Sequence, residues 1–343
     1  MHRSVFSTGL LFVLLGFSNC IFQNSFSQIS LIDSIINTTS LRQLVQVLAS
    51  DSFQGRFTGT TPAQNAAEFI AKEFKNAGVA AMAGNSGYLV PFIARAESEI
   101  GFNVVAALKG QSKPEELIIF CAHYDHVGTK STNPHKNHPN SSRHKSGDTI
   151  FNGANDNASG TAAVVNLARY FGQLKTNERT IVFIAFSGEE LGLLGSKELA
   201  MTLNPEDVKA VINIEMIGRA ISKKRNKAYI TGSSLSDLQK LLNRQLFESS
   251  PELYGKKFFV NDTYGDENLF ARSDNFWFAL KGIPSHTIMA SSPFDDYYHS
   301  PGDEVETLDF ELMSSLVKAI ARSCTGLIEG SETPKRINPR SLQ

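Results

Sequence analysis

Residues 181–193 read IVFIAFSGEELGL. The first six are apolar without interruption, as in a strand buried on both faces of a parallel sheet. The run ends at Ser187-Gly188, and two adjacent glutamates follow where a helix should begin. Adjacent ionised carboxylates each disfavour the charge of the other. A chain that sets Glu189 and Glu190 at the mouth of a buried strand therefore calls for a cation to neutralise them. His123, Asp156, Glu215 and His299, on four other segments, supply matching pieces. Together they read as a two-metal hydrolase.

Outward from this stretch, strand and helix patterns alternate. Apolar runs at 103–108, 117–122, 180–186, 210–214, 228–231 and 285–289 predict strands. Helical periodicity covers 29–50, 62–76, 158–171, 191–201, 236–247 and 311–328. This alternation predicts an α/β fold: a mixed, mostly parallel central sheet sandwiched between helices. No internal repeat or low-complexity linker interrupts it. One domain is expected over residues 28–330, with a C-terminal tail at 331–343.

The 343 residues are 41% hydrophobic and 20% charged, so a sizeable core can form. The formal net charge of −1 argues against nucleic-acid and polybasic membrane-surface partners. Residues 1–27 have the pattern of a signal peptide. His2 and Arg3 precede an apolar run at 8–17 that is too short to span a bilayer. Ser25-Phe26-Ser27 offers cleavage before Gln28; lipidation at Cys20 is the less favoured exit. No other segment reads as a transmembrane helix, and export to a periplasm or the exterior is expected. Beyond the leader only Cys121 and Cys324 remain, with pairing between them open and Cys121 expected as a buried thiol.

The candidate ligands follow the apolar runs, where open α/β sheets collect their ligands. His123 ends LIIFCAH, and Asp125 is placed to accept its second ring N–H, which would fix the tautomer of a metal-bound imidazole. Asp156 lies in GANDNASG, 153–160, whose small residues allow close backbone approach. A carboxylate there can bridge two ions roughly 3.5–4 Å apart; the plain alternative is an Asx turn capping a helix. Of Glu189 and Glu190, one should ligate and the other move a proton. Glu215 is an acid in the apolar VINIEMIG, and His299 sits in YYHSPGD with Asp303 as a candidate partner. Two histidines, several carboxylates and no thiolate suit two Zn2+ per chain, with Mn2+ or Co2+ as substitutes. The polar loop at 130–148, carrying His135, His138 and His144, reads either as a solvated loop or as the rim of the site.

HYDHVG at 123–128, NGANDNASG at 152–160, FSGEELGLLGS at 186–196, NIEMIGR at 213–219 and YYHSPGDE at 297–304 occur in the order and spacing of a known family. The chain resembles the dizinc exopeptidases that include bacterial leucyl-type aminopeptidases, over residues 41–325. LASDSFQGRFTGT at 48–60 and SDNFWFALKGIP at 273–284 fit the same pattern. The resemblance implies the three-layer zinc exopeptidase (phosphorylase/hydrolase-like) fold. It implies one metal on His123, Asp156 and Glu215, and a second on Asp156, Glu190 and His299. Glu189 would be the general base that activates a metal-bridging water, Asp125 the orienting acid and Tyr298 an oxyanion donor. A strained, often cis, peptide bond would precede Asn157. Glu215 stands where the family usually has Asp, and Asn275 where relatives often have His. The implied activity is that of an aminopeptidase acting on peptides with a free N-terminus. A single-zinc glutaminyl cyclase and a non-catalytic binding domain are the alternatives; the NASG after Asp156 and the lone Trp277 speak against the cyclase, and the filled ligand positions against the binding domain.

Overall fold

The computed structural model describes residues 31–95, 98–135, 137–140, 147–220 and 228–342. The expected leader, Cys20 and His144 lie outside the described residues. A nine-stranded mixed sheet runs through the molecule. Its strands are β1 (Ala80–Ala81), β2 (Leu89–Ile93), β3 (Ile100–Leu108), β4 (Lys113–His123), β5 (Arg179–Phe186), β6 (Val208–Glu215), β7 (Tyr229–Ile230), β8 (Val260–Asn261) and β9 (Ser285–Met289). The order is β1-β3-β5-β4-β6-β9-β7-β8, with β2 also paired to β3. The four central strands β5, β4, β6 and β9 are parallel, while β3 and β7 join this block antiparallel.

Strand alternation divides the core in two. Ile118, Phe120 and Ala122 of β4 face one layer; Leu117, Ile119 and Cys121 face the other. The first layer holds α1 (Thr38–Leu48), α2 (Thr61–Asn76), α3 (Gly160–Leu174), α5 (Leu238–Ser249) and α7 (Phe310–Ser323). The second holds α4 (Leu194–Thr202) and the short α6 (Asn275–Leu280). Buried on both faces, the central strands need the near-continuous apolar runs visible in the sequence. Helix ends carry their own signals. The Asn37 side chain accepts from Ser40 N at 2.9 Å before α1, and Asp309 accepts from Leu312 N at 3.0 Å before α7.

Several expectations shift. The helix predicted over 29–50 is interrupted before Thr38, because extended Asn37 caps a new helix there. The helix predicted over 311–328 breaks at Cys324 into α7 and α8 (Thr325–Ile328). The two-residue strands β1 and β8 have no period to detect, and β2 contains Pro91, which an edge position tolerates. Cys121 and Cys324 are both buried and free. Within the C-terminal tail, Ile337 packs on Phe270 and Ala279. Among the described residues, no helix is long and apolar enough to cross a membrane.

His286, inside β9, gives the fold a pH dependence. Its Nδ1 faces Thr231 O at 2.9 Å and its Nε2 faces Ser236 Oγ at 2.7 Å. Burial pushes its pKa down to about 4. The unfolded ring, with a pKa of about 6.5, therefore takes a proton that the folded ring refuses. The stability it confers is complete above that value and declines as pH falls towards 4, with about 2 kcal/mol gone by pH 5. Urea titrations at pH 7 and pH 5 should show this loss in wild type, and His286→Gln should remove it. An equal pH dependence in the variant would contradict the assignment.

Candidate metal centre

β4 lies between β5 and β6, so one corner of the sheet gathers three strand ends. His123 closes β4, opposite Phe186, and Glu215 closes β6, opposite Met289. Beyond β5 the chain does not enter a helix at once. Gly188 (φ 80°), Gly192 (φ 99°) and Leu193 (φ 63°) hold left-handed conformations, and α4 starts only at Leu194. Glu189 and Glu190 thus sit in a tight turn and not in the first turn of a helix. That turn hangs on Asp125, whose Oδ1 accepts from Glu189 N at 3.3 Å and Oδ2 from Glu190 N at 3.4 Å. Thr58 ties the N-terminal loop in, donating to Asp125 Oδ2 at 2.9 Å and accepting from Gly188 N at 2.9 Å.

Asp125 was expected to orient His123 through its carboxylate. The ring Nδ1 instead lies 3.1 Å from the Asp125 main-chain carbonyl and 3.7 Å from the carboxylate. The residue orients the imidazole chiefly by its backbone, and its side chain braces the glutamate turn.

Asp156 lies in the irregular turn Ala154–Ser159, joined to Asn157 by a cis peptide bond. Its two oxygens point two ways. Oδ1 is 3.4 Å from His123 Nε2, and Oδ2 is 3.2 Å from His299 Nε2. Two donor groups result. His126, Asp156, Glu190 and His299 converge on one side; His123, Glu189 and Glu215 converge on the other, with ligand atoms in each group within 4.8 Å of one another. Glu190 Oε2 lies 3.2 Å from His299 Nε2.

Electrostatics and unsatisfied atoms show what these groups lack. Burial raises the Glu189 pKa well above the carboxylate range, and Glu190, Glu215 and Asp274 add to it despite His123. Burial likewise lifts Glu215, helped by Asp156 and Glu190. Burial alone would raise Asp156 too, yet the imidazoles of His123 and His299 hold it down. The Nε2 atoms of His123 and His299 are buried without hydrogen-bond partners. Imidazole lone pairs and carboxylates aimed at common points, with no thiolate, are the donor set of a zinc site.

Surrounding contacts fix this set. Ser273 donates to Glu215 Oε2, and Asn213 Nδ2 donates to Ser273 Oγ at 2.6 Å. The longer acid is therefore held from behind. Asn275 belongs to the same buried network, accepting from Thr287 Oγ1 at 2.8 Å, so here it braces the scaffold. The Tyr298 ring stacks on His299 at 3.9 Å and lines a cavity of about 30 Å³ with Asp156, Glu189 and Glu215. His135 and His138 bring the polar loop to the rim: His135 Nε2 is 3.2 Å from Glu190 Oε2, and the His138 ring meets Tyr298 edge-on at 5.3 Å.

Asp303 does not serve His299. It accepts from Asn155 N at 3.0 Å and Asp156 N at 3.0 Å, and from Arg219 Nη1 at 2.9 Å. Arg56 is fully buried and binds only carbonyls: Tyr124 O at 2.6 Å, Leu48 O at 2.5 Å, Asn152 O at 2.7 Å and Gly153 O at 3.0 Å. Sequence reasoning missed His126, Arg56, Ser273 and Arg219. His126 was visible three residues after His123, but nothing in that spacing aims its ring at Glu190.

A mixed sheet whose parallel strands end at two buried His/carboxylate donor groups has the layout of a metalloenzyme. Residues 103–323 match Peptidase family M28, and the chain belongs to that family of zinc peptidases. It is 40% identical over 119 residues, 34% of this chain, to a probable zinc metalloprotease of Pyrenophora teres f. teres, covering 23% of that protein. Aminopeptidase YwaD of Bacillus subtilis is 28% identical over 194 residues, 54% of this chain and 40% of the relative. The matched stretches span less than half the length of either relative. The LapA aminopeptidase of Legionella pneumophila shares the fold with a TM-score of 0.65, at 19% identity over 88% of this chain and 74% of its own. The glutaminyl cyclase of Porphyromonas gingivalis does so at 0.66 and 18% identity, over 86% and 99% of the two chains.

Asp303→Ala removes the acceptor for two backbone N–H groups and one partner of a largely buried guanidinium. Breaking such a pair should destabilise the protein by about 3–5 kcal/mol in urea unfolding. A loss below about 1 kcal/mol, the range of an exposed pair, would contradict this role.

Proposed function

We propose that the protein is a two-zinc aminopeptidase. The observation that carries this reading is Asp156, whose two oxygens divide between two donor groups while Glu189 stands beside them. His123, Asp156 and Glu215 would hold one ion, and Asp156, Glu190 and His299 the other; Mn2+ or Co2+ would fit the same donors. Bound zinc supplies Lewis-acid activation of a water and of the scissile carbonyl. Glu189 accepts the proton of the attacking water and passes it to the leaving amine. Its carboxylate lines the same small cavity as Asp156 and Glu215, where an attacking water would stand. Tyr298 lines the same cavity as Asp156 and Glu189, where its hydroxyl can donate to the developing oxyanion. The YwaD relative supports the aminopeptidase reading. The fold alone does not separate it from a cyclase; the second donor group, around His123 and Glu215, favours two ions.

Glu189→Gln should retain two zinc ions per chain by elemental analysis and lose about 10²–10⁴ in kcat on aminoacyl anilides. Wild-type turnover would remove Glu189 from the base role. Peptides with a free N-terminus should be cleaved far faster than their N-acetylated forms. Equal rates would exclude aminopeptidase action, and cyclisation of N-terminal glutamine in place of cleavage would select the cyclase.

A further inference from the structure

The Glu190 carboxylate is approached by three imidazoles, and they are not equivalent. His126 Nδ1 makes a hydrogen bond of 2.9 Å to Oε1. His299 Nε2 and His135 Nε2 each lie 3.2 Å from Oε2, yet neither nitrogen has a hydrogen-bond partner. Two donors on one zinc ion, with bonds of about 2.0–2.1 Å and tetrahedral angles, stand roughly 3.3 Å apart. The His299–Oε2 and His135–Oε2 distances both fit a shared ion, whereas the His126–Oε1 contact is a formed hydrogen bond.

We propose that His126 is a positioning residue that occupies Glu190 Oε1 and so makes Glu190 a single-oxygen ligand through Oε2. The inference rests on the reading that Glu190 holds a metal. An ionised carboxylate only accepts, so the facing Nδ1 carries the hydrogen. Nδ1 is also 3.7 Å from Asp156 Oδ2, which accepts as well and favours the same tautomer. The ring is fully buried and cannot turn away to solvent. Its seat is cut to fit: a Cβ on Gly153 would come within 2.5 Å of His126 Cγ, and Gly153 has φ +55°, a conformation that glycine adopts without strain. Ser273 stands in the same relation to Glu215, taking Oε2 and leaving the other oxygen to a cation. Glu190 and Glu215 thus each have one oxygen held by a side-chain donor.

Hydrogen-bonded partners of metal ligands typically contribute 10–100-fold in metal affinity. Asparagine places an amide nitrogen on Cγ, where histidine carries Nδ1; glutamine carries its amide one bond further out. The test is calorimetric zinc titration of the metal-free wild type, H126A, H126N and H126Q, with visible spectra of the cobalt forms. Thermal unfolding in chelator serves as the control for folding. One of two ions should bind 10–100-fold more weakly in H126A and H126Q, while H126N keeps near-wild-type affinity and an unchanged cobalt spectrum. Two ions bound equally well by wild type and H126A would overturn the inference alone. An H126N protein as weak as H126A, with a cobalt spectrum that has lost a nitrogen donor, would make His126 a ligand and overturn the positioning role. A single ion in wild type would overturn the two-metal reading, and this inference with it.

Discussion

Carboxylates crowd the end of the central sheet more closely than like charges tolerate. Asp125, Asp156, Glu190, Glu215, Asp274 and Asp303 are all buried, and Glu189 stands among them. Two unit charges 4 Å apart repel by about 4 kcal/mol at an effective dielectric of 20. Arg56 and Arg219 offset part of this field, since their guanidinium groups lie within reach of Asp125, Asp156 and Asp303. The acids nearest the histidines are left uncompensated. Burial and its acidic neighbours push Asp274 up to about 7, and burial lifts Glu189 and Glu215. Cations at the two donor groups would relieve this repulsion.

That arrangement is rigid because backbone, not only side chains, sets it. Three parallel strands end together, and their order sets His123, at the end of β4, between the glutamate turn beyond β5 and Glu215 at the end of β6. Arg56 clamps the chain next to His123 and the chain before Asp156 through one guanidinium. Asp303 holds the Asp156 turn from the other side, and Arg219 holds Asp303. Tyr298, His135 and His138, toward the rim, are partly exposed, and ring contacts join them to one another or to His299.

Much of this was legible in the sequence. The apolar runs that became β4, β5, β6 and β9 are fully buried strands, and full burial leaves the plainest mark on a chain. The candidate ligands His123, Asp156, Glu190, Glu215 and His299 do come together, because strand ends in a parallel sheet bring distant residues to one edge. What could not be read has physical reasons. His126 and Ser273 act through the direction of one hydrogen bond, which no spacing encodes. Arg56 binds only backbone carbonyls, so no acidic partner advertises it. Asp303 follows His299 by four residues, yet it faces the backbone of Asn155 and Asp156, a contact set by tertiary folding. The helix start after Glu190 was misjudged because Gly188 and Gly192 impose a left-handed turn where charge pattern alone suggested a helix.

With both donor groups loaded, Asp156 would bridge two metal ions. Anomalous difference maps from zinc-soaked crystals, recorded on either side of the zinc edge, test it directly. Two peaks roughly 3.5–4 Å apart are expected, one beside Asp156 Oδ1 with His123 and Glu215, the other beside Oδ2 with Glu190 and His299. A single peak, or two peaks that both avoid Asp156, would contradict it.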